Sequence, residues 1–286
     1  MAKVEIGKSV TEDFVLWRYI TFDKLKSLLE RKSIFFCPLA RYIESDPFEG
    51  YSPLVSTKAI SSIFGKEVER LKEVMRQVEL MAKSQGVKLP INFDSEIDKL
   101  KQDAKIAHKT IGKGILVNCW HASSYESEAM WKLYSKEGKG VAIKTTVNSL
   151  KNSMSSCDQD ILVRFGMVKY MDFYDENLLP KDCLVDGHII PLIKRLSYSH
   201  EKELRLFIVP NFGDIVSMKS HDFQPVMVEV SPHILINQIY ISPLSESGFI
   251  EDVMSLSKEH GFGSDKVIHS DLLKDNELFS DITATW

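Results

Sequence analysis

From Tyr198 the chain reads Tyr-Ser-His-Glu-Lys-Glu-Leu-Arg-Leu-Phe-Ile-Val-Pro, and the acids in this stretch are the residues best placed to do chemistry. Leu204, Leu206 and Ile208 alternate with Arg205, Phe207 and Val209 until Pro210 ends the run, the pattern of a core strand. Glu201 and Glu203 stand just ahead of it, two residues apart. On an extended backbone such residues share a face, so both acids and Arg205 are expected along one side. Charge at the mouth of a buried strand is costly unless it is paired or used. Two arrangements satisfy that condition. One is a Glu203–Arg205 ion pair beside a solvated Glu201; the other is a pair of carboxylates facing a substrate.

A second unusual charge lies near the start of the chain. Phe14, Leu16, Arg18 and Ile20 fall on one face of a predicted strand, Phe14–Ile20, and an arginine in an apolar row needs a carboxylate or a ligand phosphate as partner. Asp46 and Glu49 sit on the turn Ser-Asp-Pro-Phe-Glu-Gly, where solvated turn acids compete with a role at a cleft edge. Trp120, Trp131 and Tyr134 fit either core packing or a stacking wall for a flat heterocycle. The eight histidines and the four cysteines Cys37, Cys119, Cys157 and Cys183 show no metal-ligand spacing, so no metal site is expected. No phosphate-binding glycine loop or nucleophile elbow is present.

The elements that must position these groups are expected as follows. Residues 1–12 are polar and expected to be loose. The strand carrying Arg18 is followed by a helix capped by Thr21, with Phe22, Leu25, Leu28 and Leu29 inward, and then by a short strand, Ser33–Cys37. Residues 60–112 show helical spacing with a break at Gly86–Phe93. This pattern predicts a helical hairpin inserted into a single domain, 1–286, and laid over it. Strands are expected over Gly114–His121, Gly140–Lys144, Ile161–Tyr170, Val226–Val230, Gln238–Ser242 and Lys266–His269. Helices are expected around 126–134, between Asp182 and Tyr198, and over Ser247–His260. The last dozen residues are weakly patterned. Strands outnumber helices and do not alternate with them strictly, so the fold class is α+β with a mixed or antiparallel central sheet and flanking helices.

With 286 residues, 44% hydrophobic and 27% charged, the chain has the composition of a soluble globular protein. A net charge of −4 argues against a broad nucleic-acid footprint. No apolar run suits a membrane span or a secretion signal, and the scattered cysteines suit free thiols in a reducing cytoplasm.

Taken together, Trp17-Arg18-Tyr19, Asp46-Pro47-Phe48-Glu49, Trp131-x-x-Tyr134 with Gly140-Val141-Ala142-Ile143, Tyr198-x-x-Glu201-Lys202-Glu203-x-Arg205 and Ile239-Tyr240-Ile241-Ser242-Pro243 resemble the bacterial family called domain of unknown function 2971. The resemblance runs over nearly the whole chain, and the family label carries no activity. More distantly, the layout is similar to that of ADP-ribosyltransferases, which place an Arg or His on the first strand and a catalytic Glu, often the second acid of an E-x-E, at the start of a later one. That likeness implies a split sheet and an NAD-dependent mono-ADP-ribosyltransferase, as in bacterial toxins or antiviral defence effectors. Under it, Glu203, Glu201 and Arg18 are catalytic, and Arg18, Tyr19, Trp131 and Tyr134 bind NAD. The likeness implies a protein, nucleic acid or small molecule as acceptor and, for a toxin, an antitoxin as partner. For the middle-strand position, Tyr42 and Ser56-Thr57 both stand open. Two alternatives come from other classes: a non-catalytic binding module whose ion pairs are structural, and a metal-dependent hydrolase or nuclease using Asp46, Glu49 and Glu203.

Overall fold

The computed structural model of the chain describes residues 2–135, 138–155, 157–210 and 223–274, and what organises them is a ten-stranded sheet that forks. In chain order its first half comprises β1 (Lys3–Ile6), β2 (Val15–Thr21), α1 (Phe22–Arg31), β3 (Ser33–Pro38), α2 (Leu54–Ser84), α3 (Phe93–Gly114), β4 (Leu116–Ala122), α4 (Glu128–Tyr134), β5 (Gly140–Thr146) and α5 (Val147–Ser153). There follow β6 (Leu162–Met167), β7 (Lys169–Met171), β8 (Ile193–Arg195), β9 (Glu203–Ile208), β10 (Val226–Glu229), α6 (Pro232–Leu235), β11 (Gln238–Ile241), α7 (Ser247–Glu259) and β12 (Val267–His269). The strands run in the order β1-β6-β9-β4-β2-β5-β11-β12, with β3 against β4 and β10 against β3, while β7 and β8 form a separate parallel pair. Within the large sheet β1·β6 and β11·β12 are parallel and the other pairings antiparallel. The fold is therefore α+β, a mixed central sheet with flanking helices.

The fork lies between β2 and β4. β2 pairs with β5 along its whole length, from Val15↔Thr146 to Thr21↔Gly140, and β4 pairs with β9 from Leu116 to His121. Between β2 and β4, however, only Leu16↔Ala122 and Trp17↔His121 are in register. At its other end β4 takes β3 instead, through Cys37↔Val117 and Pro38↔Leu116. Arg18, Tyr19 and Ile20 thus belong to one arm of the fork, and Cys119 and Trp120 to the other.

The period-two pattern of β2 explains how both faces are filled. Leu16 and Ile20 join Leu25, Leu28 and Leu29 of α1 and Val253 and Leu256 of α7 in the main core. Trp17 and Tyr19 point the other way, against Met130 and Trp131 of α4. The hairpin α2–α3 begins at Leu54, after Pro53, and is seated at its base on the 3-10 turns Leu39–Tyr42 and Pro180–Cys183. It is not laid over the sheet along its length. Ile63 and Met81 are each 64% exposed, and its few buried side chains include Val68, Ala82, Ile97 and Ala107.

Several expectations need correction. Residues 3–6 are not loose: β1 adds a parallel edge to β6, and Arg164 Nε donates to Glu5 Oε2 at 2.8 Å. The single strand expected over 161–170 is two, because Val168 turns aside to donate its N–H to the Glu203 carbonyl at 2.9 Å. No α-helix lies between Asp182 and Tyr198. The left-handed Asp186-Gly187 corner (φ 49° and 82°) and Pro191 break that stretch, and it forms β8 followed by a 3-10 turn, Leu196–Glu201. Helix α5 was not foreseen. Residues 275–286, the weakly patterned end, lie outside the described residues.

Candidate functional site

A hollow of about 540 Å³ opens where the two arms of the sheet part, within the usual size range of a small-molecule pocket. Arg18, Tyr19 and Ile20 line it from β2, Cys119, Trp120 and His121 from β4, and Glu203 and Arg205 from β9. Tyr134 and Met130 reach it from α4, Tyr42 from the 3-10 turn after β3, Asp46 and Glu49 from the next turn, and Lys194 from β8.

Its floor is a buried ion network. Arg205, 1% exposed, makes a two-pronged contact with Glu49, Nη1 to Oε1 at 2.9 Å and Nη2 to Oε2 at 3.1 Å. Its Nε donates to Glu203 Oε2 at 2.8 Å, and Nη1 also meets the Pro191 carbonyl at 3.1 Å. Lys194 Nζ donates to Glu201 Oε2, lies 3.5 Å from Glu203 Oε1 and 3.7 Å from Glu49 Oε2, and sits 4.8 Å over the Tyr198 ring. The Glu203 N–H donates to the Tyr170 hydroxyl at 2.8 Å. A second pair braces the turn from outside: Arg195 to Asp46 at 2.6 Å, with the guanidinium 4.7 Å over Phe48.

The backbone explains why the two acids differ. Lys202 is left-handed (φ 42°), so the extended run begins at Glu203, and Glu201 ends the 3-10 turn before it. Glu203 and Arg205 share a strand face, as their spacing predicts. Glu201 comes to the same place by a corner, held by Lys194, and is not the solvated acid of the simpler expectation. Burial works against the charge of Glu203, but Arg205 and Lys194 outweigh it and hold its pKa down at about 2. Burial and the neighbouring Glu203 charge raise the pKa of Glu201. The cause is visible in the count: Glu49, Glu201 and Glu203 face two cations, and the least buried acid carries the excess.

Arg18, which lines the hollow from β2, has a different character. Its guanidinium carbon lies 5.5 Å over the Trp120 ring, and Nη1 has no hydrogen-bond partner among the described residues. Burial pulls its pKa below the ordinary value, while Tyr42, Cys119 and Tyr134 pull it back. Tyr134, 44% exposed, lines the hollow, and burial pushes its hydroxyl up to about 12.

The structure thus brings together Arg18, Tyr19, Tyr134, Glu201 and Glu203 around one space. Trp131 is not with them. It is 2% exposed, packs edge-on against Tyr19 at 4.9 Å, and donates its indole N–H to Glu126 at 3.0 Å, so Tyr134 is the aromatic of that pair which faces the hollow. Tyr19 presents its ring there while its hydroxyl accepts from the Ser127 N–H at 2.8 Å. Of the residues left open for the middle position, Tyr42 lines the hollow and Ser56 and Thr57 do not. Asp46 and Glu49 are buried and engaged by arginines, not solvated. Among the described residues no group of three or more His, Cys, Asp or Glu side chains is arranged to hold a metal ion, and no helix is long and apolar enough to cross a membrane. Sequence reasoning missed Lys194 and His121. Lys194 had a usable signal, a lysine closing the apolar run Ile189-Ile190-Pro191-Leu192-Ile193, the same kind of anomaly that singled out Arg18.

Fold and site together define an α+β protein with a charged hollow between two sheet arms. Residues 130–206 match the family described as Protein of unknown function (DUF2971), about a quarter of the chain. That span holds Tyr134, Lys194, Glu201, Glu203 and Arg205 and stops short of Arg18 and Glu49. No curated protein and no solved structure matches the chain.

Proposed function

We propose that the protein is an NAD-consuming enzyme of the mono-ADP-ribosyltransferase kind. The observation that carries this reading is that Arg18, whose Nη1 has no hydrogen-bond partner among the described residues, lines from one arm of the sheet the same hollow that the E-x-E pair lines from the other. The Arg18 guanidinium, a permanently charged fork, holds the pyrophosphate. Tyr134 stacks on a base or on the nicotinamide. Glu203, kept ionised by Arg205 and Lys194, retains lone pairs to accept a ribose hydroxyl and to stabilise positive charge on the sugar. The bond between C1′ and the nicotinamide nitrogen breaks with its electron pair going to nitrogen, so nicotinamide leaves neutral. The oxocarbenium-like carbon is then attacked by the acceptor oxygen or nitrogen, which loses a proton. A toxin or defence role is an extension of this reading that rests on the family likeness alone.

The test is nicotinamide release from NAD by purified protein. Glu203→Gln is expected to slow it by roughly 10²-fold or more, the cost of losing one preorganised electrostatic partner. Equal turnover in that variant sinks the assignment.

A second reading has its own support. Both oxygens of Glu203 are already paired and Arg205 is fully enclosed, as in a non-catalytic module stabilised by buried ions. It predicts no NAD turnover and a loss of melting temperature as the sole effect of Glu203→Gln.

A further inference from the structure

His121 stands directly across from Glu203 in the β4·β9 ladder and lines the same hollow, yet the reading above gives it no task. Its Nδ1 lies 2.6 Å from the backbone oxygen of Glu201. A carbonyl oxygen only accepts, so Nδ1 must carry the ring proton and Nε2 is left with a free lone pair. Nε2 makes no hydrogen bond to any described residue. The two carboxylates that compete for the role of base are both engaged: Glu203 by Arg205 and Lys194, Glu201 by Lys194. We propose that His121 is the general base of the site, taking through Nε2 the proton that the acceptor loses as it attacks the ribose carbon. This rests on the NAD-consuming reading. In atoms, the acceptor X–H bond breaks, its electron pair forms the X–C1′ bond, the proton passes to Nε2, and the transient imidazolium returns it to solvent.

The surroundings suit the task. The Tyr19 ring on β2 meets the imidazole in a T-shaped arrangement, with centroids 6.2 Å apart. Burial lowers the pKa of His121, and the charges of Lys202 and His200 on the adjoining corner act the same way, while the Glu201 carbonyl hydrogen bond opposes them. Glu203 faces the ring from β9. The downward shift favours the neutral imidazole, which is the state a base needs.

The experiment compares wild type, His121→Asn and His121→Ala for NAD consumption and for NAD binding. Asparagine retains a donor for the Glu201 carbonyl but has no basic nitrogen. The expected result is a fall in kcat of about 10²-fold or more in His121→Asn with KM for NAD within a few-fold of wild type, the size usual for loss of general base catalysis. Added imidazole restores turnover to His121→Ala, and the wild-type rate falls only when pH drops through the depressed histidine pKa. Undiminished kcat in His121→Asn, or a loss that imidazole leaves unchanged and that tracks weaker NAD binding, overturns the base role and leaves the NAD reading standing. Absence of nicotinamide release by the wild type overturns both.

Discussion

Removing Arg205 leaves two buried carboxylates, Glu49 and Glu203, facing one another without their shared cation. Arg205→Met is expected to cost about 3–5 kcal/mol of unfolding free energy, the usual penalty for breaking a buried pair from one side, read by urea denaturation. A change below 1 kcal/mol means the network is better hydrated than its burial implies. The same residues set a pH dependence with two signs. Glu201 has a raised pKa, so the folded state binds its proton before the unfolded state does. Stability from this group is fully present below the unfolded pKa and is lost as pH rises through the folded one. Glu203 is depressed to about 2, so its contribution is present above the unfolded value, about 4.3 for a glutamate, and is lost as pH falls toward the folded value. The two titrate as a pair. Urea unfolding at stepped pH is expected to show wild type gaining on Glu201→Gln as pH falls from neutrality, then both declining in strong acid. A wild-type-minus-variant difference that is flat across that range refutes the proton placement on Glu201.

At the scale of elements, the turn bearing Asp46 and Glu49 is located by a contact between two glycines. Gly50 has φ +80°, and its carbonyl lies against Gly112 near the end of α3, where an added Cβ would overlap the oxygen. Gly112→Ala is therefore expected to push the turn away from the helix, costing about 1–3 kcal/mol as overpacking does and loosening the Glu49–Arg205 contact. Chemical denaturation reads the first effect and NAD turnover the second; unchanged stability shows that the hairpin base yields without strain. Neither the contact nor its consequence was legible in the sequence, because it joins residues far apart in the chain. What was legible followed from local pattern: the strand faces of β2 and β9, the spacing of α1, α2, α3 and α7, and the anomaly of Arg18 in an apolar row. The failures fell where local rules compete with tertiary pairing. Residues 3–6 looked loose because a four-residue alternation, Lys-Val-Glu-Ile, is too short to mark a strand by itself, and β1 exists through pairing with β6, with Val4 and Ile6 against the core. The apolar run before Tyr198 suited a helix by composition, but the Asp186-Gly187 corner and Pro191 turn it into β8, which is how Lys194 reaches the acids. Trp131 was read correctly as having a helical neighbour in Tyr134, yet only the packing of α4 on Tyr19 decides which of the two sees the hollow.

Considered as a whole, the molecule is two sheet arms joined at a narrow seam, Leu16↔Ala122 and Trp17↔His121, with unlike charge on either side of the gap beyond it. The arm from β2 to β12 brings Arg18; the arm from β4 to β1 brings Glu203 and Arg205, and Lys194, Glu49 and Glu201 join them from β8 and the adjoining turns. A ligand that spans the gap contacts both arms, and it does so only in the folded state, where they are held at that separation. Binding must then stabilise the whole fold by mass action, by about 2.7 kcal/mol at a concentration one hundred times Kd. For a chain of this size that is a rise of roughly 5 °C or more in Tm. NAD is expected to give this shift in the wild type, ADP-ribose most of it through the pyrophosphate, and nicotinamide alone little. Arg18→Ala should remove the shift for NAD and ADP-ribose alike, without the large destabilisation expected of Arg205→Met, because Arg18 Nη1 has no hydrogen-bond partner to lose among the described residues and its stacking on Trp120 is a modest contact. The comparison is a differential scanning measurement of both variants with each ligand. An Arg18→Ala protein that melts several degrees lower with no ligand present, and a wild type indifferent to saturating NAD, would together mean that the arginine serves the fold and that the gap is not a dinucleotide site.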